Sequence, residues 1–488
     1  MKILKINRFS KTASLVAAVL ILTQCARNPV TGKREMVLMS ESQELAMGAQ
    51  SDPSVQAEYG VYPDSLLQVY LTARGDEMAK ISHRPNLQFH FKVIDSDVVN
   101  AFAVPGGYVY FTRGILAHFN NEAQLTGVLG HEIGHVTARH GVEQQRKQLG
   151  LQLGQIVGMV LAPKFTQFIG QGAQLLMLRY SREHETQADQ LGVAYSSKTG
   201  YDAREMAGFF QTIARIQEAA GANIPTFLST HPDPGDRYTK VTAMAIETQK
   251  ENPDKKYDIN RDGYLRRIDG IVYGEDPRQG YVENGSFYHP ELKFVFPIPQ
   301  GWKTQNSPTQ FQMASADQKA MMIMTLAQEK TLEEAARAVA TKHKLKIVDQ
   351  QNTNINGLPA IIQVGDQVPE ATQNQQAAQP TTRVMTAYIA YHGLNYIIHG
   401  VAALPDFPQY ERTFNNTMMG FRELTDYAKI NVTPNRIRIK TVYTEGSLAE
   451  ALRGFNMPEK QHKELSILNG MLLTDKVKRG MLIKTIGK

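Results

Sequence analysis

Thr126-Gly127-Val128-Leu129-Gly130-His131-Glu132-Ile133-Gly134-His135-Val136 reads H-E-x-x-H inside an apolar, glycine-punctuated run. The spacing predicts a helix, and residues four apart on a helix share one face, about 5–6 Å apart at Cβ. Two imidazoles placed so can reach one Zn²⁺ at roughly 2.0–2.1 Å. Glu132, next to the first, stands where a carboxylate can take a proton from zinc-bound water. Leu125, Val128, Leu129 and Val136 make the helix largely buried, which argues against two histidines on a solvated surface.

Upstream, 100–110 reads as a strand, a Pro-Gly-Gly turn and a second strand leading toward this helix. A peptidase must hold its substrate extended beside the metal, and an edge strand does so by ladder hydrogen bonds. Asn100, Ala101, Phe102 and Ala103 are the expected edge, and Pro105 with Gly106 and Gly107 suits one. Before them, 40–50 reads as a helix with a Ser40/Gln43 capping box. Helical spacing follows over 66–81, and strand alternation over 87–94.

The metal helix is expected to start near Asn121 and run to about Gln148. His140 lies nine residues after His131, and position 138 is Ala; a metzincin needs Gly there and its third His one residue later. His140 is therefore expected to be structural, and the third ligand must come from elsewhere. The 180–189 stretch offers it. Glu185 and Asp189, four apart, face the same side of a helix, so Glu185 can bind zinc while Asp189 accepts the outer N–H of a ligand histidine. Glu183 and His184 compete for the ligand role. The Gly-, Gln- and Leu-rich 149–178 reads as core helices or a lid. Prolines and glycine make 230–237 a loop, where functional residues often sit. Arg237 there could stabilise an oxyanion. His231 could do the same, or fill the open zinc position and hold the enzyme latent.

The chain begins with Lys2, Lys5, Arg8 and Lys11 ahead of an apolar run over 13–22, which reads as a signal peptide. Cys25, the only cysteine, excludes disulfides within one molecule and resembles a lipoprotein processing site. Four of the 53 Lys and Arg lie in the leader, which accounts for most of the net charge of +6, so nothing points to nucleic acid. With 42% apolar and 20% charged residues, the 488-residue chain is globular and long enough for two to four domains.

The HEIGH helix, the 100–110 strand and turn, the Glu185–Asp189 segment and the 230–237 loop occur together in an order that resembles the BepA/HtpX-like gluzincins, relatives of the CAAX prenyl proteases. The Cys25…Asn28-Pro29-Val30-Thr31-Gly32 opening is similar to their lipoprotein branch in Gram-negative envelopes. The likeness covers about 28–260. It implies one Zn²⁺ per chain on His131, His135 and Glu185, with Glu132 as general base. It also implies Asp189 behind the ligands, Arg237 in the active site, and protein or peptide substrates.

Beyond it, Asp258 to Asp269 mimics a calcium loop, but Arg261, Arg266 and Arg267 lie within and position twelve is Asp, so a linker or docking strand reads better. Residues 285–425 read as an α+β unit weakly resembling PsbP-like modules. A capping box at Thr331/Glu334 opens a helix, a hairpin turns about His392-Gly393-Leu394, a helix closes at 405–421, and 366–382 is a polar insertion. Residues 430–488 read strand–helix–helix–strand and weakly resemble a LysM-like module, which would bind peptidoglycan.

The sequence thus predicts an α+β protein. A signal peptide over 1–24 precedes a mainly helical zincin domain with a small edge-strand sheet over 25–260. A linker over 261–284, an α+β domain over 285–425 and a small α/β module over 430–488 follow. The expected function is a zinc-dependent endopeptidase of the bacterial envelope, acting on misfolded or misassembled proteins. It would be lipid-anchored through Cys25 on the periplasmic side of the outer membrane. The alternatives are a zinc-stabilised chaperone or scaffold, and a cell-wall-binding lipoprotein.

Overall fold

The computed structural model describes residues 25–32, 34–36, 39–144, 180–220, 226–231, 234–367 and 381–488. The expected leader, the 149–178 stretch and most of the polar insertion lie outside the described residues. The chain forms two compact units, one of 1–274 with 435–487 and one of 275–434. Among the described residues, no helix is long and apolar enough to cross a membrane.

The first unit opens on α1 (Glu41–Tyr59), whose capping box is closed by Ser40 and Gln43 as expected, and α2 (Ser65–Lys80). Three strands follow: β1 (His90–Ile94), β2 (Ala101–Val104) and β3 (Tyr108–Thr112), ordered β1-β3-β2. β1 runs parallel to β3, and β2 antiparallel to it, so β2 is an outer strand. The β2–β3 turn needs its glycines: Gly107 sits at φ 93°, and a Cβ there would meet the Gln88 carbonyl oxygen at 2.6 Å.

The H-E-x-x-H stretch lies on α3 (Glu122–Thr137), capped by Asn121, whose side chain accepts from the Gln124 N–H. The helix is shorter than expected. Arg139 turns left-handed (φ 59°) and sends its guanidinium back to Glu44 Oε2 at 2.9 Å and the Met39 carbonyl at 3.0 Å. α4 (Arg182–Lys198), α5 (Arg204–Ala220), α6 (Pro234–Lys250) and α7 (Arg261–Ile268) complete the helical layer. Glycine lets α3 approach its neighbours closely. A Cβ on Gly127 would meet Met206 Cβ at 2.6 Å, and one on Gly192 of α4 would meet the Gly127 carbonyl oxygen at 2.9 Å. That approach brings the first half of α4 against the histidine face of α3.

Two expected boundaries need correction. The 261–284 linker begins with α7, whose Tyr264, Leu265 and Ile268 are buried in the first unit; the division falls after Gly274. The 430–488 stretch is not set apart either. Its strands Arg436–Thr441 and Leu482–Gly487 pair antiparallel, and Ile437, Leu448, Leu465 and Ile483 share one core with Phe119, Phe209 and Ile268. The apolar faces of so small a module find their cover on the core of the first unit.

The second unit carries a seven-stranded antiparallel sheet. Its hairpin Thr382–Tyr391 to Leu394–Ala403 turns through His392 and Gly393, both at positive φ, as a two-residue turn requires. Helices Leu332–Lys342 and Phe407–Met419 supply the α part, the first with its expected capping box.

Two histidines of this unit, His289 partly buried and His399 buried, should make it acid-sensitive. Burial lowers His289 to about 4, and burial with His343 nearby lowers His399 to about 3, from an ordinary value of 6.5. Between those values and 6.5 the unfolded chain binds more protons than the folded one, so stability falls as pH falls. Trp302, the single tryptophan, lies in this unit, and its fluorescence should report a urea midpoint that drops from pH 7 toward pH 4. A midpoint unchanged across that range would contradict the assignment.

Candidate metal centre

α3 presents His131 and His135 on one face, and α4 places Glu185 opposite them. His231 joins from the residue after the short helix Thr226–Thr230. One nitrogen or oxygen from each of the four lies within 4.8 Å of all the others. The Nε2 atoms of His131 and His135 stand 3.0 Å apart, and Glu185 oxygens lie 3.6 and 3.5 Å from them. His231 Nδ1 is 3.1 Å from Glu185 Oε1 and 3.3 Å from His131 Nε2. All four are buried.

Behind the cluster, Asp189 Oδ1 meets His131 Nδ1 at 2.9 Å. Arg237 donates to both Asp189 oxygens, at 2.9 and 2.5 Å, and its Nη1 lies 3.1 Å from Glu185 Oε2. Burial alone would raise Asp189, but Arg237 and His131 outweigh it and hold the carboxyl at about 2. Sequence reasoning left Arg237 in a loop, aimed at substrate. It is instead in the first turn of α6, spent on two carboxylates and stacked 4.1 Å from the Phe210 ring. Of the competing ligands, Glu183 is exposed, and His184 stacks on His140 away from the cluster.

Glu132 is fully buried, and neither carboxylate oxygen has a hydrogen-bond partner among the described residues. Burial raises its pKa, opposed by His231 and His131. Its nearest charged neighbour among the described residues is His231, Nε2 to Oε1 3.6 Å. A buried carboxylate left without a hydrogen bond beside a cluster of nitrogen and oxygen donors is what a metal and its water would satisfy; the residues present fit zinc.

The β2 edge lies alongside. The Thr112 N–H bonds the Asn100 carbonyl, so in the antiparallel ladder Ala101 and Ala103 turn their own N–H and C=O groups outward, while Phe102 faces β3. Tyr180, which sequence reasoning did not single out, stacks 4.0 Å from His135, and its hydroxyl donates to the Ala103 carbonyl at 3.4 Å. No pattern in the sequence marks it; only the fold brings it there. The Asn100 amide is buried without a partner among the described residues.

Residues 65–245 match the model of peptidase family M48. This stretch is an M48 peptidase domain. The beta-barrel assembly-enhancing protease of Yersinia pestis is 30% identical over 228 residues, 44% of this chain and 47% of that protein. The mitochondrial metalloendopeptidase OMA1 of Arabidopsis thaliana is 30% identical over 206 residues, 41% of each. The chain thus spans about half or less of the length of these curated relatives. M48 metallopeptidases use zinc, and the four-residue cluster lies within the matched domain. Among solved structures, cyanobacterial PsbP from Synechocystis aligns at 9% identity with 28% of this chain and 91% of its own, at a TM-score of 0.24.

Proposed function

We propose that the protein is a zinc-dependent endopeptidase of the bacterial cell envelope, with misfolded or misassembled envelope proteins as substrates. The observation that carries the reading is a four-donor cluster beside an outer strand edge, with a buried carboxylate, Glu132, that makes no hydrogen bond among the described residues. His131, His135 and Glu185 would hold the ion. Zinc, when bound, supplies Lewis acidity toward the scissile carbonyl and makes water acidic near neutral pH. Ala101 and Ala103 hold the substrate backbone extended through the outward edge of β2. Glu132 takes the proton of the attacking water and passes it to the leaving amine. Asp189 keeps the proton on His131 Nδ1, so that its Nε2 faces the ion, and Arg237 fixes both Asp189 and Glu185. Lipidation at Cys25 would hold the enzyme on the periplasmic side of the outer membrane, and 430–488 would add a hold on peptidoglycan.

Purified protein should carry about one zinc per chain, as the four-donor cluster implies, and cleave casein. A chelator should stop cleavage, and zinc restore it. Protein that cleaves equally well after metal removal would refute the reading.

The place of His231 favours the latent alternative over a role at the oxyanion, since its Nδ1 lies 3.1 Å from Glu185 Oε1 and 3.3 Å from His131 Nε2 while its Nε2 stands 3.6 Å from Glu132 Oε1. Removing it in His231→Ala opens that position and should raise casein turnover severalfold. Unchanged or lower turnover, with zinc retained, would count against latency.

A further inference from the structure

The two candidate histidine ligands are backed by unlike groups. His131 Nδ1 meets a carboxylate, Asp189. His135 Nδ1 meets another imidazole, His140 Nδ1, at 2.9 Å, and His140 Nε2 meets Gln187 Oε1 at 2.8 Å. His135 and His140 are both buried, each 1% exposed. His184 stacks on His140 with ring centroids 4.3 Å apart and planes 16° apart, and His184 Nε2 is held 2.9 Å from Glu143 Oε2. The His140 ring therefore has little room to turn.

Hydrogen-bond chemistry orders the chain. A neutral imidazole has one donor and one acceptor nitrogen, and an amide oxygen only accepts. His140 Nε2 therefore donates to Gln187, which leaves His140 Nδ1 with its lone pair. That lone pair can be met only by a donor, so His135 carries its proton on Nδ1. His135 Nε2, the nitrogen that faces His131 and Glu185, is then free to bind a cation. Turning the Gln187 amide over would reverse each bond and put the proton on His135 Nε2, where it would block the site.

We propose that His140 and Gln187 are positioning residues that fix the tautomer and tilt of His135 through a neutral relay. The inference rests on the metallopeptidase reading. It makes the two ligands unequal: His131 is backed by a charge, and His135 by an uncharged amide two bonds away.

The test is the zinc affinity and zinc release rate of the full chain, measured against a chromophoric chelator, with the cobalt(II) absorption spectrum as a second readout. Gln187 is only half-buried, so substitutions there should fold. Gln187→Leu removes the acceptor and should weaken zinc about 10-fold or more, the usual effect of losing an outer partner. Gln187→Glu replaces the amide with a carboxylate and should tighten zinc and slow its release, with a shifted cobalt spectrum. His140→Ala should weaken zinc at least as much as Gln187→Leu. A purely structural role would move both Gln187 variants in the same direction, and that result overturns the relay, as do affinities within twofold of the parent. Parent protein that binds no zinc would instead sink the metallopeptidase reading itself.

Discussion

Replacing Glu132 with Gln is expected to reduce casein cleavage by about 10²–10⁴-fold, the range for removing a general base, while zinc content stays at the parent level. The substitution keeps volume and shape in a fully buried position, so the packing of α3 against α4 should persist. It leaves untouched the four side chains whose donor atoms cluster. It also removes an ionisable group whose charged form burial disfavours, so the melting temperature should hold or rise. The same variant separates an enzyme from a scaffold. If the protein works only by binding unfolded chains, the Glu132→Gln variant should restore full function to a deletion strain. Cleavage by that variant above a tenth of the parent rate would remove Glu132 from the base role.

The pieces of the centre that are local in sequence were legible. His131 and His135 stand just over one helical turn apart, and Glu185 with Asp189 repeats the same spacing, so periodicity alone orients each pair. The strand order was partly legible, because a Pro-Gly-Gly turn with φ of 87° and 93° at Gly106 and Gly107 needs those residues. What escaped depends on contacts distant in the chain. Pro232 and Pro234 read as a loop, yet Pro234 opens α6; proline suits the first turn of a helix as well as a turn, and the sequence does not separate the two uses. No glycine caps the end of α3, where Ala138 and Arg139 follow Thr137. It stops because Arg139, in a left-handed conformation unfavourable for its side chain, is held there by Glu44 nearly a hundred residues earlier. The His135–His140–Gln187 chain escaped for the same reason, since its members lie on two segments brought together by the glycine-lined approach of α3 and α4.

Deletion of 435–488 is expected to cost the peptidase unit its fold, not merely an accessory function. The last strand inserts Lys484 into the core, where its Nζ donates to the Ala117 and Phe119 carbonyls at 2.8 Å each, just before the Asn121 cap of α3. Burial pushes the Lys484 pKa well down, and the two carbonyls give its buried Nζ hydrogen-bond acceptors. Asn469 clasps the Lys484 backbone from both sides, accepting its N–H and donating to its carbonyl. Arg215 of α5 and Arg261 of α7 donate to the Met471 and Leu482 carbonyls. Beneath these bonds, Phe119, Phe209 and Ile268 share their core with Ile437, Leu448, Leu465 and Ile483. Uncovering even three such side chains costs about 4.5–9 kcal/mol at roughly 1.5–3 each, comparable with the total stability of about 5–15 kcal/mol of a folded domain. The truncated chain should therefore be largely insoluble, or show no cooperative melt of its helical circular dichroism, and should hold no zinc. A separable wall-binding module would behave otherwise. Recovery of soluble truncated protein, with a full complement of zinc and a melting temperature within a few degrees of the parent, would show that the C-terminal strands are accessory to the centre and not part of what holds α3 in place.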